Sequence, residues 1–373
     1  MATTEIRCPH CTRHVPEGNW LLHETRCRPL RGAGGPSLTQ PPALFSVGLM
    51  ADLQYADLDN GVSFVEKSVR RYRQSLDILR RGAAEFALAK TSINVLLGDL
   101  VDFKSTIDNK ADLCLSRILE ITKAPGVGAF HFIVGNHDLN SFSRPRVHSQ
   151  YLPASVRAST PSSGEILYYS HKPYAGFKFI FLDPFDVSSF NASSNAKQQQ
   201  AQDLLKASNP NMADDKKSGN WFTGLSPEDR RYVPYNGMIG VTQQRWLEDE
   251  LLTATRLGER VVIFSHLPIF WRCVDPGGLM WNAEHVLEIV QRSPAVVAWI
   301  SGHDHQGGYA IDEFGVHHII PPAPLECDEG QVAFGILHID EDGGSLVWQG
   351  KRPTNKLGTQ DTWPTSLPWR KTM

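Results

Sequence analysis

One nine-residue stretch, residues 94–102, most constrains how this chain can fold. It reads Asn-Val-Leu-Leu-Gly-Asp-Leu-Val-Asp, so an apolar run that predicts a buried strand passes directly into Gly98 and Asp99. In an α/β sheet the carboxyl ends of the strands present the ligands, which places Asp99 where a binding site is expected. A Gly-Asp pair after a strand is also a common turn. The hypothesis that Asp99 bridges two metal ions therefore depends on the rest of the chain.

Strand and helix patterns alternate on both sides of this stretch. An apolar run predicts a strand over 44–51, and helical periodicity predicts a helix over 63–89. This order is typical of a parallel strand–helix–strand unit and favours the α/β class. Further strands are predicted at 130–134, 177–182, 260–264, 296–300 and 335–339, and further helices at 111–122, 242–256 and 283–292. Two long loops, 139–165 and 184–240, are of a length that is usually functional or disordered.

Polar side chains follow five of the predicted strands. These candidate site residues are Asp52, Gln54, Asp99, Asp102, Asn136, His137, Asp138, His266, His303 and His305. A single histidine after a strand is more often a hydrogen-bonded loop residue than a ligand, but five such endings together favour a metal centre. Carboxylates, amides and imidazoles without a nearby thiolate suit divalent Mn, Fe or Zn. Two such ions acidify a shared water and clamp a phosphorus centre, so hydrolysis of a phosphate ester or anhydride is predicted.

The five polar blocks resemble those of the calcineurin-like metallophosphoesterase superfamily. The blocks are Asp52-x-Gln54, Gly98-Asp99-x-x-Asp102, Gly135-Asn136-His137-Asp138, Ser265-His266 and Gly302-His303-x-His305. The resemblance implies an α/β (α+β) fold, a four-layer αββα sandwich that holds two metals. It implies that the first metal is bound by Asp52, Gln54, Asp99 and His305, and the second by Asp99, Asn136, His266 and His303. It also implies a catalytic His137 beside the phosphate, oriented by Asp102, with Asp138 as a structural partner of its loop.

The first block departs from the superfamily pattern at Gln54, where histidine is usual. The neutral oxygen of Gln54 is a harder ligand than an imidazole nitrogen. The first site is therefore predicted to prefer a harder ion such as Mn²⁺.

A more specific resemblance, from about Phe45 to about Ile339, is to the manganese-dependent ADP-ribose/CDP-alcohol diphosphatases. The segments that carry it are 51–61, 70–76, 235–237, 265–269, 281–282 and 302–309. It implies a small-molecule nucleotide substrate such as ADP-ribose or CDP-choline, cleaved at its diphosphate by a metal-bridging hydroxide to AMP or CMP and a phosphorylated moiety. For the nucleotide pocket we predict Tyr55, which is able to stack on a base, and Asn236 with its neighbouring backbone amides. A core or surface role for Tyr55 stays open.

A separate module is predicted over residues 1–29. Its four soft ligands, sufficient for a tetrahedral structural zinc site, are Cys8, Cys11, His23 and Cys27, with His10 or His14 as alternatives to His23. The segment resembles the TRAF-type fingers of adaptor proteins, which implies docking of a protein partner. Residues 30–43, rich in proline and glycine, predict a linker, 44–350 the phosphoesterase domain and 351–373 a C-terminal tail.

The composition narrows the class of protein. A net charge of −3, from 37 basic and 40 acidic residues, indicates no broad positive surface for nucleic acid or an anionic membrane. No signal-peptide run and no apolar stretch of membrane-spanning length is visible. Six cysteines, three of them within the first 27 residues, fit a reducing compartment, and we predict a cytoplasmic protein.

Two alternative functions stay open at this point. The chain could be a phosphodiesterase or phosphomonoesterase acting on another nucleotide, since two metals and His137 do not choose between these reactions. It could also be an inactive scaffold recruited through the finger. Competent side chains fill all seven expected ligand positions, which favours an enzyme.

Overall fold

The computed structural model describes residues 5–7, 14–16, 43–63, 68–212, 221–354 and 361–370. The strands of its two large sheets are β1 (Phe45–Met50), β2 (Ile93–Leu96), β3 (Phe130–Phe132), β4 (Tyr169–Tyr174), β5 (Phe177–Phe181), β6 (Arg260–Phe264), β7 (Val296–Ile300), β8 (Gly308–Ile311), β9 (His317–Ile320), β10 (Ala333–Ile339), β11 (Gly343–Gly350) and β12 (Ser366–Pro368). The α-helices are α1 (Tyr72–Ala89), α2 (Ala111–Thr122), α3 (Asn136–Ser141), α4 (Arg144–Tyr151), α5 (Ala154–Ser159), α6 (Asn195–Ser208), α7 (Val241–Arg256) and α8 (Ala283–Arg292).

Shorter elements connect these strands and helices. Two-stranded pairs form between Glu5–Arg7 and His14–Pro16, Gly61–Val62 and Val69–Arg70, and Val187–Ser188 and Gly237–Met238. Single 3₁₀ turns cover Phe103–Thr106, Pro210–Met212, Glu228–Arg231, Trp271–Cys273, Pro276–Gly278 and Pro324–Glu326.

Each large sheet has six strands, with a parallel part and antiparallel edges. The first sheet has the order β12-β11-β10-β1-β2-β3, in which β1, β2 and β3 are parallel. The second has the order β8-β9-β7-β6-β5-β4, in which β5, β6, β7 and β9 are parallel. Because parallel strands end at the same edge of their sheet, the polar blocks after β1, β2 and β3 are brought side by side, and so are those after β6 and β7.

The two sheets pack face to face, with helices on their outer sides. All six residues of β1 are buried. Because alternate side chains along a strand point in opposite directions, both faces of β1 are covered. The Phe45 ring meets Phe177 of the second sheet at a centroid distance of 5.2 Å. On the opposite face of β1, a Cβ atom on Gly48 would lie 2.7 Å from the Phe86 ring of α1, so this helix can approach only a glycine. Helix α7 packs against β6. This arrangement is the helix–sheet–sheet–helix order that the resemblance implies.

Most of the predicted elements are confirmed, with boundaries that agree to within two residues. The helix predicted from residue 63 is wrong at its start, because Val69–Arg70 pairs with Gly61–Val62 and α1 begins only at Tyr72. The predicted loop 139–165 contains α4 and α5, and the predicted loop 184–240 contains α6.

The C-terminal residues that we set apart as a tail contribute an edge strand. Strand β12 pairs antiparallel with β11, and Leu367 is fully buried. The phosphoesterase domain thus extends beyond residue 350 in the structure.

The predicted zinc ligands Cys8, Cys11, His23 and Cys27 lie outside the described residues. None of the described helices combines the length and the apolar character that crossing a bilayer requires.

Candidate metal centre

Loops from both sheets meet at the predicted site. Asp52 and Asp99 follow β1 and β2 of the first sheet, whereas His266 and His305 follow β6 and β7 of the second. His266 Nε2 lies 3.5 Å from Asp99 Oδ2 and 3.9 Å from Asp52 Oδ1. His305 Nε2 lies 3.8 Å from Asp52 Oδ1. Asp52, Asp99 and His266 can present ligand atoms that all lie within 4.8 Å of one another.

Of the three remaining predicted ligands, Gln54 and His303 contact this cluster. Gln54 Nε2 lies 3.0 Å from both Asp99 Oδ2 and His305 Nε2. His303 Nδ1 lies 3.2 Å from His266 Nε2. Asn136 is buried, and its Oδ1 has no hydrogen-bond partner among the described residues. A buried amide oxygen without a donor costs free energy, so Asn136 presents an acceptor that a cation would satisfy.

The backbone is strained at the ligands themselves. Seven described residues other than glycine have a positive φ, and four of them are predicted ligands: Asp52 (45°), Gln54 (38°), Asp99 (52°) and His303 (74°). A side chain in this left-handed region costs about 1–3 kcal/mol and persists only where the surroundings impose it. Such strain concentrates at functional sites, so the coincidence supports this location for the centre.

The approach of the loops is close enough to require glycine at Gly302. A Cβ atom there would lie 2.7 Å from Asp52 Oδ2 and 3.0 Å from the Leu97 carbonyl oxygen. The glycine that precedes His303 therefore allows the loop after β7 to approach the loop after β1.

Each of the three histidines has one ring nitrogen committed to an acceptor away from the centre. His266 Nδ1 lies 2.7 Å from the Leu97 carbonyl oxygen, His303 Nε2 lies 2.8 Å from Asn236 Oδ1, and His305 Nδ1 lies 2.8 Å from Glu326 Oε1. The other nitrogen of each ring faces the cluster. Metal-binding histidines characteristically have such a partner, which fixes the tautomer and the orientation of the ring.

Two of these partners, Asn236 and Glu326, have contacts that the sequence did not predict. Asn236 was predicted to contact the nucleotide, but the structure buries it behind His303, and its Nδ2 donates to the carbonyl oxygens of Arg231 and Gly277. Glu326 was not predicted at all, because it follows His305 by 21 residues and has no polar neighbour that marks it. Burial opposes ionisation of Glu326, but the charge of His305 and its hydrogen bond lower the pKa of Glu326 to about 2.

The structure favours the core role that the sequence left open for Tyr55. The Tyr55 side chain is 2% exposed within the main core, and its hydroxyl accepts a hydrogen bond from Arg117 Nη1 at 2.6 Å. Tyr55 also pairs with Val101 as an isolated bridge. So little of the Tyr55 ring is exposed here that a base has no face to stack on.

Two buried carboxylates give the centre its charge. Burial and the neighbouring Asp99 raise the pKa of Asp52, although His266 and His305 act in the opposite direction. Burial alone would raise the pKa of Asp99, but the charges of His266, His137 and His303 and the hydrogen bond of His266 together lower it. Burial would lower the pKa of His266, yet the two carboxylates raise it to about 9. The cluster therefore demands a positive charge, which a proton on His266 or a bound cation can supply.

His137 and Asp102 lie together beside this cluster. His137 Nδ1 is 3.3 Å from Asp102 Oδ2 and 3.3 Å from the backbone nitrogen of Phe103, and the backbone N–H of His137 donates to Asp99 Oδ1 at 2.8 Å. Burial lowers the pKa of His137, but Asp99 and Asp102 raise it above its usual value. The geometry agrees with the predicted pairing of His137 and Asp102.

Asp138 organises the backbone around the centre. Its carboxylate accepts hydrogen bonds from the backbone nitrogens of Gly135, Asp99 and Leu100, each at 2.9 Å, and from the Tyr151 hydroxyl at 2.8 Å. Asp138 therefore ties the loop after β3 to the loop after β2. This is the structural role that was expected of it.

The residues present fit divalent metal ions. Two buried carboxylates, three imidazole nitrogens that face the cluster and the unpartnered Asn136 oxygen form a donor set without thiolate. Gln54 requires one adjustment, because its Oε1 accepts from Arg70 Nη1 at 3.3 Å while its Nε2 faces the centre. A half-turn of the Gln54 amide would present its oxygen to a cation instead.

Comparison with known proteins agrees with this centre. Residues 45–307, which include all seven candidate ligands, match the sequence profile of the calcineurin-like phosphoesterase family. Curated relatives named "Manganese-dependent ADP-ribose/CDP-alcohol diphosphatase" include a Xenopus tropicalis protein that is 34% identical over 323 residues, 82% of this chain and 91% of that protein. A human protein of the same name is 32% identical over 321 residues, 83% of this chain and 91% of that protein.

A solved structure shows the same fold. The crystal structure of a dimetal phosphatase from Danio rerio superposes with a TM-score of 0.78 at 28% identity, and it covers 88% of this chain and 100% of that chain. From the extent of the sequence match and the shared fold, the chain belongs to the calcineurin-like phosphoesterase family.

Proposed function

We propose that this chain is a metal-dependent hydrolase that cleaves the diphosphate bond of nucleoside diphosphate derivatives such as ADP-ribose and CDP-alcohols, with AMP or CMP as one product. The observation that carries the proposal is the cluster of Asp52, Asp99 and His266, which His303, His305 and Gln54 adjoin, in a chain aligned over its main domain with relatives that have this name. Cleavage of the P–O–P bridge gives these products whichever phosphorus is attacked.

A pair of divalent ions would polarise the phosphoryl oxygens and lower the pKa of a water molecule. The chain's own residues would bind these ions and act on the phosphate. Asp99 is placed between the two ligand sets, and Asp52 and the three histidines surround it. His137, on the open side of the centre with 12% of its side chain exposed, can donate to a phosphoryl or leaving-group oxygen, and Asp102 holds its imidazole in position.

A panel of substrates tests the reaction. The full chain is stripped of metal and assayed with Mn²⁺ and Mg²⁺ side by side on ADP-ribose, CDP-choline and 2′,3′-cyclic AMP, with nucleotide products and phosphate identified separately. Release of AMP and CMP from the first two, without free inorganic phosphate, is expected. Turnover of the cyclic nucleotide alone would instead indicate a phosphodiesterase, and the absence of any turnover would favour the scaffold alternative.

We further propose that manganese is the preferred ion. Gln54 supplies a neutral oxygen where an imidazole would favour zinc, and the unpartnered oxygen of Asn136 is a second hard donor. Metal-stripped protein should regain more activity with Mn²⁺ than with Zn²⁺. Better recovery with Zn²⁺ would contradict this preference.

For the N-terminal residues we propose a separate structural zinc site formed by Cys8, Cys11, His23 and Cys27, in a TRAF-type finger that docks a protein partner. The ligand types and spacing in the sequence support this proposal. Full chain with Cys8→Ser and Cys11→Ser should lose one zinc per chain and keep its turnover of ADP-ribose. Unchanged zinc content would exclude these ligands.

We propose that the protein acts in the cytoplasm. Two of the described cysteines, Cys114 and Cys327, are free thiols, and both are buried. Free thiols are typical of a reducing compartment. Imaging of the tagged full chain in cells tests the compartment, and a signal confined to an organelle would contradict it.

A further inference from the structure

One guanidinium at the edge of the metal centre is poorly partnered. Arg70 ends the short strand Val69–Arg70, which leads into α1, and pairing with Gly61 fixes its position. Its Nη1 donates to Gln54 Oε1 at 3.3 Å. Its Nε is buried, lacks a hydrogen bond among the described residues and lies 3.6 Å from Glu326 Oε1. An arginine carries five N–H donors in a fixed fork, so the described residues use only part of its capacity.

Glu326 forms an ion pair with Arg70 but accepts no hydrogen bond from it. Its Oε1 already accepts from His305 Nδ1 at 2.8 Å, and its Oε2 accepts from Gln306 Nε2 at 3.0 Å. The Gln54 contact is also conditional, because the half-turn that would present the Gln54 oxygen to a cation removes the acceptor of Arg70. In the metal-loaded protein, Arg70 would therefore lack a hydrogen-bond acceptor on either neighbour.

The side chain of Arg70 is partly open beside the centre. It is 18% exposed, and its Nη1 contacts the predicted ligand Gln54. A ligand bound at the metals can therefore reach the guanidinium.

We propose that Arg70 binds the second phosphate of the substrate, the one that is not attacked, and so selects diphosphates over compounds with a single phosphate. This inference rests on the proposed function. The metal ligands can hold only the phosphoryl group that reacts, and they do not distinguish a diphosphate from a monoester or a diester. A guanidinium fork beside them supplies the planar, bidentate partner that a neighbouring phosphate needs.

Two ligands that differ in the number of phosphorus atoms test this proposal. Titration calorimetry on the full chain with Mn²⁺ compares α,β-methylene-ADP, whose two phosphorus atoms are joined by a non-hydrolysable bridge, with AMP, which has one. Wild type should bind the methylene analogue more tightly. Arg70→Ala should weaken binding of the analogue about 10- to 100-fold, the size expected for charge-assisted hydrogen bonds. It should weaken binding of AMP less than about threefold. Arg70→Lys, which keeps the charge but lacks the fork, should fall between.

Arg80→Ala is the matched control, because Arg80 lies on α1 and pairs with the exposed Asp77. Equal weakening of both ligands by Arg70→Ala, with a higher Mn²⁺ requirement, would show that Arg70 acts only through Gln54 and would overturn the proposal. Unchanged affinity for both ligands would overturn it as well.

Turnover measurements distinguish failure of the Arg70 proposal from failure of the proposed function. If wild type binds the methylene analogue through Arg70 but does not release AMP from ADP-ribose, the proposed function fails and the Arg70 assignment stands. If ADP-ribose is cleaved with equal kcat/KM by wild type and Arg70→Ala, the reaction stands and Arg70 has no part in it.

Discussion

Among single residues, Asn236 has a role that its neighbours in sequence do not reveal. It is 67 residues away from His303, yet its Oδ1 accepts from His303 Nε2 and leaves Nδ1 directed at the cluster. The carbonyl oxygens of Arg231 and Gly277 hold the Asn236 amide in that orientation. This chain of contacts makes Asn236 a positioning residue for one ligand.

Asn236→Ala should weaken Mn²⁺ binding about 10- to 100-fold, the usual effect of removing the partner of a metal-binding histidine. The Mn²⁺ concentration that gives half-maximal ADP-ribose turnover measures it, and saturating Mn²⁺ should restore much of kcat. Asn60→Ala, at an exposed position, is the control. A raised KM for ADP-ribose at an unchanged Mn²⁺ requirement would return Asn236 to the nucleotide pocket.

His131 on β3 provides a test of pH dependence away from the metal centre. Its ring stacks on Phe181 at 4.9 Å, and its Nδ1 lies 2.9 Å from the Tyr169 hydroxyl. Burial, assisted by His171, lowers the pKa of His131 to about 3, whereas the unfolded chain should titrate near 6.5. Between these values the unfolded state binds the extra proton, so the free energy of unfolding falls as the pH falls.

We therefore expect wild type to lose about 2 kcal/mol more unfolding free energy between pH 7.5 and pH 5 than His131→Gln does. Urea unfolding at the two pH values measures the difference, and groups common to both proteins cancel. His285→Gln, at an exposed position of α8, should behave as wild type. An identical pH slope for His131→Gln would mean that this imidazole does not titrate on unfolding.

The residues that meet at the two carboxylates could be located from the sequence, because each follows a strongly apolar strand and several adjoin a glycine. His266 and His305 are examples in which the local pattern sufficed to bring them to this cluster. Glu326 and Asn236 could not be assigned in this way, because their contacts join distant segments. For Tyr55 the sequence could not decide between the pocket and the core, because adjacency to Gln54 does not say where the ring points.

At the scale of secondary-structure elements, strands with a continuous apolar run were predictable, whereas β4, β8, β9, β11 and β12 were not. Strand β7 reads Val-Val-Ala-Trp-Ile and is buried along its whole length, so its apolar run is unmistakable. Strands β8 and β11 begin with glycine, and β4 contains the exposed residues His171 and Lys172. Strands with polar or glycine positions lose the regular apolar pattern on which strand prediction depends.

Strand β12 is the element whose contribution to the free energy of unfolding can be predicted most clearly. Leu367 is fully buried between β11 and Trp369, and the Pro368 carbonyl oxygen lies 2.9 Å from His317 Nε2. Leu367→Ala should lower the free energy of unfolding by about 2–4 kcal/mol, the usual cost of emptying a buried leucine site.

Urea unfolding measures this effect, with Ser366→Ala on the exposed side of the same strand as the control. A change below about 0.5 kcal/mol for Leu367→Ala would mean that β12 does not pack on the sheet.

At the scale of the whole molecule, two kinds of metal site are expected in one chain. The phosphoesterase domain is predicted to hold oxygen- and nitrogen-bound manganese, whereas the N-terminal residues are predicted to hold sulfur-bound zinc. The domain fold could be inferred from the five blocks, because they lie on elements that pack against one another. The N-terminal module has only its ligand spacing in support, because its four predicted zinc ligands lie outside the described residues.

Asp99→Asn separates these two kinds of site. The full chain should lose turnover by at least about 10³-fold, because the only charged ligand between the two ligand sets becomes neutral. Elemental analysis should show loss of manganese and retention of one zinc per chain. Asp77→Asn, at an exposed ion pair of α1, is the control. Unchanged turnover would refute the mechanism, and loss of zinc together with manganese would place the zinc in the catalytic centre.

The left-handed backbone at Asp52, Gln54, Asp99 and His303 means that the sequence with the highest activity is not the sequence with the highest stability. Glycine at any of these positions would relieve backbone strain, and at Asp52 or Asp99 it would also remove a buried charge. A mutational scan that scores cellular abundance should therefore tolerate or favour glycine where a scan that scores turnover rejects it. Selection for thermal stability alone would erase the active site from these four positions first.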